Sequence, residues 1–86
     1  MAGEGIETPD YAAMLRRMIR AYGRRVGEAD DVDLAEMLTV RTEMDAAIQA
    51  AVDRMRERGC SWAEIGRGLG TTRQNAQQTY GVKGAS

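Results

Sequence analysis

Apolar residues recur along this chain at steps of three and four, the spacing of one face of an α-helix. The first such stripe comprises Tyr11, Met14, Leu15, Met18, Ile19 and Tyr22. Thr8 and Pro9 precede it, a capping hydroxyl followed by a residue whose fixed φ suits the first helical position. The pattern predicts a helix that begins at Pro9 and ends or frays at Gly23.

A second, longer helix is predicted over residues 32–58, which contain neither Gly nor Pro. Its apolar positions are Leu34, Met37, Leu38, Met44, Ile48, Ala51, Val52 and Met55. Asp33 and Glu36 resemble a capping box at its start, and Gly59 is placed to adopt the left-handed conformation that stops a helix. Such a helix spans about 40 Å at 1.5 Å per residue. Its first half must therefore bury its stripe against the first helix, a second copy of itself, or both.

A short third helix is predicted directly after Gly59. Ser61 and Glu64 have the spacing of a capping box at its start. The apolar residues on its inner face are Trp62, Ile65 and Leu69. Gly66 is small where a second helix would have to cross closely.

The last predicted helix is almost entirely polar. Gly70 is free to take a positive φ at the turn before it, and Thr71 or Thr72 can cap it. It runs to about Tyr80 and is apolar only at Ala76 and Tyr80. Its exposed residues are Arg73, Gln74, Gln77 and Gln78. Two short helices separated by a glycine turn, the second rich in Arg and Gln, make a helix-turn-helix unit.

The predicted fold class is all-α, because every periodic segment has helical spacing and none alternates as a strand does. An N-terminal helix and a long central helix lead into a C-terminal three-helix helix-turn-helix unit. We expect a flexible lead over residues 1–8, an N-terminal helical and dimerisation region over 9–45, the helix-turn-helix unit over 46–81 and a flexible tail over 82–86.

The formal net charge of −1 conceals a gradient along the 86 residues. Residues 1–53 hold six arginines against eleven acids, a net charge of −5, whereas residues 54–86 hold six bases against two acids, a net charge of +4. A basic C-terminal third joined to an acidic remainder suggests that the two parts meet different partners. A mixture of solvated surface charge is the alternative.

Composition excludes several kinds of chemistry. With no His and one Cys, no Ser–His or Cys–His pair can form, and no site of Cys and His ligands can assemble within one chain. We therefore predict no enzyme activity, no metal site and no cofactor, although counting alone does not exclude a metal site made of carboxylates. A lone thiol and the absence of a secretory signal or a long apolar run predict a soluble, cytoplasmic protein without a membrane partner.

Two sets of sulfur-containing side chains admit alternative roles. The methionines at helical spacing are Met14, Met18, Met37, Met44 and Met55; an adaptable partner surface is one interpretation, and ordinary core packing is the favoured one. Cys60 is a candidate redox switch or intermolecular bridge, but a small, partly buried residue is the favoured interpretation.

The segment from Ala46 to Gly81 resembles the helix-turn-helix of bacterial sigma-factor region 4 and of small actinobacterial and actinophage regulators that share it. The matching residues are Ser61, Trp62, Ala63, Glu64, Ile65, Gly66, Leu69, Gly70, Thr72, Arg73, Gln74, Ala76, Gln78 and Tyr80. Thr71 departs from the pattern where an apolar residue, usually Val, packs under the turn. Gly68 departs where Ala is common.

The resemblance implies a sequence-specific transcriptional regulator that binds double-stranded DNA and associates with the nucleoid. The helix Thr72–Tyr80 would enter the major groove while the helix Ser61–Gly68 crosses the backbone. Arg73 could bind a guanine edge and Gln74 or Gln77 an adenine edge. Phosphate contacts are expected from Thr72, Gln78 and Lys83. A polar, solubilising surface is the alternative, and the spacing of Trp62 and Tyr80 favours core over base stacking.

Specificity from so small a module usually requires two half-sites, so we expect a homodimer. The candidate dimer or partner residues are Met14, Leu15, Met18, Tyr22, Leu34, Met37 and Leu38. A rival hypothesis is a protein-interaction module that binds RNA polymerase or another regulator. A structural coiled coil is a third, but Arg41 would fall within its apolar seam.

Overall fold

The computed structural model describes residues 7–81, which form four α-helices and no strand. The helices are α1 (Thr8–Gly27), α2 (Val32–Glu57), α3 (Trp62–Leu69) and α4 (Arg73–Tyr80). The all-α fold class is therefore confirmed. The chain divides within α2 into two compact units, Met1–Thr39 and Val40–Ser86, hereafter unit 1 and unit 2. Lys83 and the predicted tail lie outside the described residues.

The start of α1 differs from the prediction by one residue. Glu7, not Thr8, is the N-cap, with extended backbone angles (φ −66°, ψ 147°) and no side-chain cap hydrogen bond. Its carbonyl accepts from the Tyr11 N–H at 3.0 Å. The first amides of a helix need no intrahelical partner, so Pro9 fits the first turn even when Thr8 is already helical.

The predicted end of α1 at Gly23 is wrong, because the helix continues to Gly27. A glycine inside a helix costs only about 1 kcal/mol relative to alanine, and the extra turn carries Val26, which is buried. The turn then closes with N–H groups of Glu28 and Ala29 donating to the carbonyls of Arg25 and Val26.

The predicted capping box at the start of α2 is also wrong. The helix begins at Val32, so Asp33 already lies in its first turn. The Asp33 and Leu34 amides donate to the carbonyls of Asp30 and Asp31, each at 3.0 Å. A cap at Asp33 would have served the amides two and three residues later, and these have intrahelical carbonyl partners once the helix begins at Val32.

The end of α2 follows the prediction. Gly59 has φ 95°, and its N–H donates to the Arg56 carbonyl while the Cys60 N–H donates to the Met55 carbonyl at 2.9 Å. This pair of hydrogen bonds is the Schellman arrangement, for which a left-handed glycine is the favoured residue. Two residues, Cys60 and Ser61, separate this stop from the first residue of α3.

The core of unit 2 is small and lies between the second half of α2, α3 and α4. Val52, Ile65 and Ala76 are buried, and Cys60, Trp62 and Tyr80 pack against them. The interpretations of Trp62, Tyr80 and Cys60 as core or partly buried residues are therefore confirmed. The expectation for Leu69 is wrong, since its side chain is 41% exposed.

The methionines are mostly not core within this chain. Met14, Met18, Met44 and Met55 are exposed, and Met37 is half-buried. The favoured interpretation of the methionines as core therefore fails within a single chain. Among residues 7–81, no helix is both long and apolar enough to cross a membrane.

Candidate nucleic-acid interface

The start of α3 is fixed by a complete capping box. The Glu64 N–H donates to Ser61 Oγ at 3.1 Å, and the Ser61 N–H donates to Glu64 Oε1 at 2.8 Å. The hydrogen bonds from the backbone and side chain of Ser61 hold the pKa of the Glu64 carboxyl below its ordinary value, and the Arg67 charge lowers it further. The predicted box is confirmed.

The turn between α3 and α4 is held by backbone contacts over a glycine. Gly70 has φ 76°, its N–H donates to the Arg67 carbonyl, and the Thr71 N–H donates to the Gly66 carbonyl at 2.8 Å. A Cβ on Gly66 would lie 2.9 Å from the Thr72 carbonyl oxygen and 3.0 Å from that of Thr71. The close approach predicted at Gly66 exists, but the turn backbone makes it rather than a crossing helix.

The N-terminus of α4 is capped by Thr72. Its Oγ1 accepts from the Asn75 N–H at 3.0 Å, and the Asn75 Nδ2 donates to Thr71 Oγ1 at 2.8 Å. The half-buried Thr71 therefore uses its hydroxyl where the sigma-like pattern has an apolar residue. These two hydrogen bonds fix the side chains at the exposed beginning of α4.

The C-terminus of α4 is attached to α2 by one side chain. Gln49, half-buried in α2, donates from Nε2 to the Tyr80 carbonyl at 2.8 Å and to Asp53 Oδ1 at 3.0 Å. This long-range hydrogen bond satisfies a carbonyl that the end of the helix leaves without a partner. The sequence analysis missed Gln49, because a polar residue on a mostly exposed helix carries no local signal of such a contact.

The sides of α4 follow from about 100° of rotation per residue. The fully buried Ala76 and the half-buried Tyr80 face the core, which puts Gln74 and Gln78 on the opposite side. Gln77 lies on a flank, and Arg73 lies within about 20° of Tyr80 around the helix axis, at the exposed first turn. All of the predicted interface residues within the described chain are exposed: Thr72, Arg73, Gln74, Gln77 and Gln78.

No protein-family model, curated protein or solved structure matches this chain. Helix α4 contains no acidic residue, and residues 54–81 contain only Glu57 and Glu64. The side chains of α4 itself thus offer amide, hydroxyl and guanidinium groups with no carboxylate among them, which suits base edges and phosphates. Asp53 and Glu57 of α2 line a pocket with Gln77, so the surface without acids is the side of α4 that faces away from the core.

Asn75 is a further candidate that the sequence analysis passed over. It is exposed and lies between the outward side of α4 and the turn. Its Nδ2 donates to Thr71 Oγ1, which orients the amide and leaves its oxygen as an acceptor. Asparagine is one of the two residues that bind the adenine edge in a bidentate manner. Its helical angle beside Gln74 and Gln78 was the available signal.

A separate apolar groove of about 390 Å³ lies on another side of unit 2. Most of its lining comes from α2 and α3 and includes Ile48, Ala51, Met55, Cys60, Ile65 and Leu69. Met55 and Leu69 are exposed there. The groove explains where Leu69 lies, since its side chain borders an open surface rather than the core.

Proposed function

We propose that this chain is a sequence-specific DNA-binding regulator that places α4 in the major groove. The observation that carries the proposal is an exposed, acid-free side of α4, rich in amides, on a helix fixed by hydrogen bonds at both ends. Thr72 and Gln49 supply those constraints together with the Gly70 turn. The role requires no catalysis or cofactor and would keep the protein with the nucleoid.

Preorganisation is the physical advantage of this arrangement. Ordering a flexible segment when it binds costs free energy, so a helix whose ends are already fixed loses less of its contact energy to that ordering. Gln74, Gln78 and Asn75 can reach base edges from the outward side, and Arg73 can reach a guanine edge or a phosphate from the exposed first turn of α4. Thr72, at the cap, is placed for the backbone.

The proposal is tested by selecting preferred sites from a library of double-stranded DNA and measuring binding to these sites by fluorescence anisotropy. Affinity should fall steeply with salt, because phosphate contacts release counterions. Gln74→Ala or Gln78→Ala should cost about 1–3 kcal/mol on the selected site and relax its sequence preference, with the helix content unchanged. Arg73→Ala should weaken binding as well and reduce the salt slope.

Arg20→Ala is the matched control for Arg73→Ala. It removes the same charge from an exposed position of α1, so a loss confined to net charge would affect both variants alike. The proposal fails if the wild-type chain shows no salt-dependent affinity for any DNA at low ionic strength. It also fails if Arg20→Ala and Arg73→Ala weaken binding equally.

The apolar groove supports a second candidate function, binding to RNA polymerase or another regulator. Met55 and Leu69 expose 39% and 41% of their side chains in it, and exposed apolar surface of this kind marks protein partners. Leu69→Gln should strongly weaken such binding and leave DNA affinity unchanged, whereas Gln74→Ala should do the reverse. Binding of each variant to purified bacterial RNA polymerase and to DNA separates the two functions.

A further inference from the structure

Unit 1 leaves its large apolar side chains open to solvent. Among the described residues of this unit Val26 alone is buried. The exposed members are Tyr11, Met14, Leu15, Met18, Ile19, Val32, Leu34 and Leu38. Their exposures run from 37% at Met14 to 69% at Val32. A surface of this kind on so small a unit requires a covering partner.

The charges of the same unit are divided between its two helical segments. Helix α1 carries five arginines and one acid, whereas residues 28–39 carry five acids and no base. Arg16 and Arg17 flank the α1 stripe on its two sides at about 100° per residue. Asp31 and Asp33 lie beside Leu34 at the start of α2, and all four charged residues are exposed.

We propose that this surface is occupied by a second copy of the chain, in a twofold dimer that sets α1 of each copy against the acidic start of α2 of the other. A twofold interface repeats every contact in both directions. A second copy therefore supplies an acidic segment for α1 and a basic helix for the acidic segment at once. A partner whose charges are all of one sign would complement only α1 or only the acidic segment. The dimer does not depend on DNA.

Sedimentation of the full chain gives the first test. The wild-type protein should have about twice the 9.4 kDa mass of one chain in the micromolar range, with weaker association at high salt. A single-chain mass at every concentration up to about 100 µM, where an interface of useful strength would be populated, overturns the proposal.

Charge reversal tests the arrangement of the two copies. Arg16→Glu with Arg17→Glu, or Asp31→Arg with Asp33→Arg, places like charges together twice in each homodimer. Mixing the two variants restores opposite charges at both contacts. The mixture should associate at least about tenfold more tightly than either variant alone, since like charges across an interface are strongly disfavoured. Equal association of the mixture and the single variants overturns the arrangement.

An apolar substitution with a matched control tests the surface. Met18→Asp should reduce association by at least about tenfold, because it places a carboxylate in the contact. Met44→Asp is the control, since Met44 is 53% exposed and Met18 59% exposed, but Met44 belongs to unit 2. Circular dichroism reports whether each variant keeps its helices. If both variants dimerise as the wild type does, unit 1 is not the interface.

Discussion

Unit 1 and unit 2 use similar helices in different ways. In unit 2, Val52, Ile65 and Ala76 are buried together, and each turn is closed by specific hydrogen bonds. In unit 1 only Val26 is buried among the described residues, and the apolar stripe of α1 faces solvent. Unit 2 is therefore stabilised by its own buried core, whereas the apolar side chains of unit 1 remain exposed within a single chain.

Hydrogen bonds at helix ends and turns can substitute for part of a hydrophobic core. Helices of eight residues are too short to persist alone in water, yet α3 and α4 have this length. Their ends are fixed by a capping box, a threonine cap and the left-handed Gly70 between them. Each cap contributes about 1 kcal/mol, which is substantial for a unit whose core has three buried residues.

Ile65→Ala should destabilise unit 2 more than any other substitution considered below. Ile65 is 4% exposed in the unit 2 core, and truncating a buried Ile costs about 2–5 kcal/mol. Urea denaturation followed by the fluorescence of Trp62, the single tryptophan, should show unit 2 unfolding at much lower urea. Met44→Ala removes an exposed side chain and should change the midpoint little. Similar losses in both variants would mean that unit 2 has no real core.

Gly66→Ala should lower the free energy of unfolding by about 1–3 kcal/mol, because the added methyl group overpacks the turn. The new Cβ would meet the carbonyl oxygens of Thr71 and Thr72, which are backbone atoms with little freedom to move. Gly68→Ala is the matched control in the same helix, because nothing lies within 4 Å of its Cβ position. It should stabilise α3 by up to about 1 kcal/mol. Thermal denaturation by circular dichroism should move in opposite directions for the two variants.

Ser61→Ala should cost about 1 kcal/mol by removing the hydroxyl that caps α3. The Glu64 N–H would lose its partner, while the Ser61 amide would keep its bond to the Glu64 carboxylate. Urea midpoints measured with Trp62 fluorescence give the change, and Ser61→Asp, an alternative cap, should restore most of the loss. A midpoint for Ser61→Ala equal to that of the wild type would contradict a stabilising cap.

The features that could be predicted from the sequence are those decided within a few residues. Each of these features depends on a backbone conformation or on a hydrogen bond between residues at most five positions apart. They are Gly59, Gly70, the Ser61 and Glu64 box and the Thr72 cap. The four-helix order and the polar side of α4 follow from periodicity for the same reason. These features are enough to place the candidate interface residues of α4.

The errors occur where competing contacts decide the outcome. Gly23 is tolerated inside α1 because the following turn buries Val26. Asp33 does not cap α2 because the helix already begins at Val32, which gives the amides two and three residues after Asp33 intrahelical carbonyl partners. Leu69 has the spacing of a core residue, but the end of an eight-residue helix carries it to the border of an open groove. Such competition depends on the whole unit and has no local signature.

The smallest predicted change is in the stability of unit 2 at acidic pH. Because hydrogen bonds from Ser61 lower the pKa of the Glu64 carboxyl in the folded chain, its contribution to stability is present at neutral pH. It is lost as the pH falls below about 4.3, the ordinary value for glutamate, and through the lower folded value. Glu64→Gln keeps an acceptor at the third helical position but cannot titrate. The variant's urea midpoint should therefore fall less steeply than that of the wild type between about pH 5 and pH 3. If the two proteins lose stability in parallel over this range, acid acts on unit 2 through other groups and the capping box is not its acid-sensitive element.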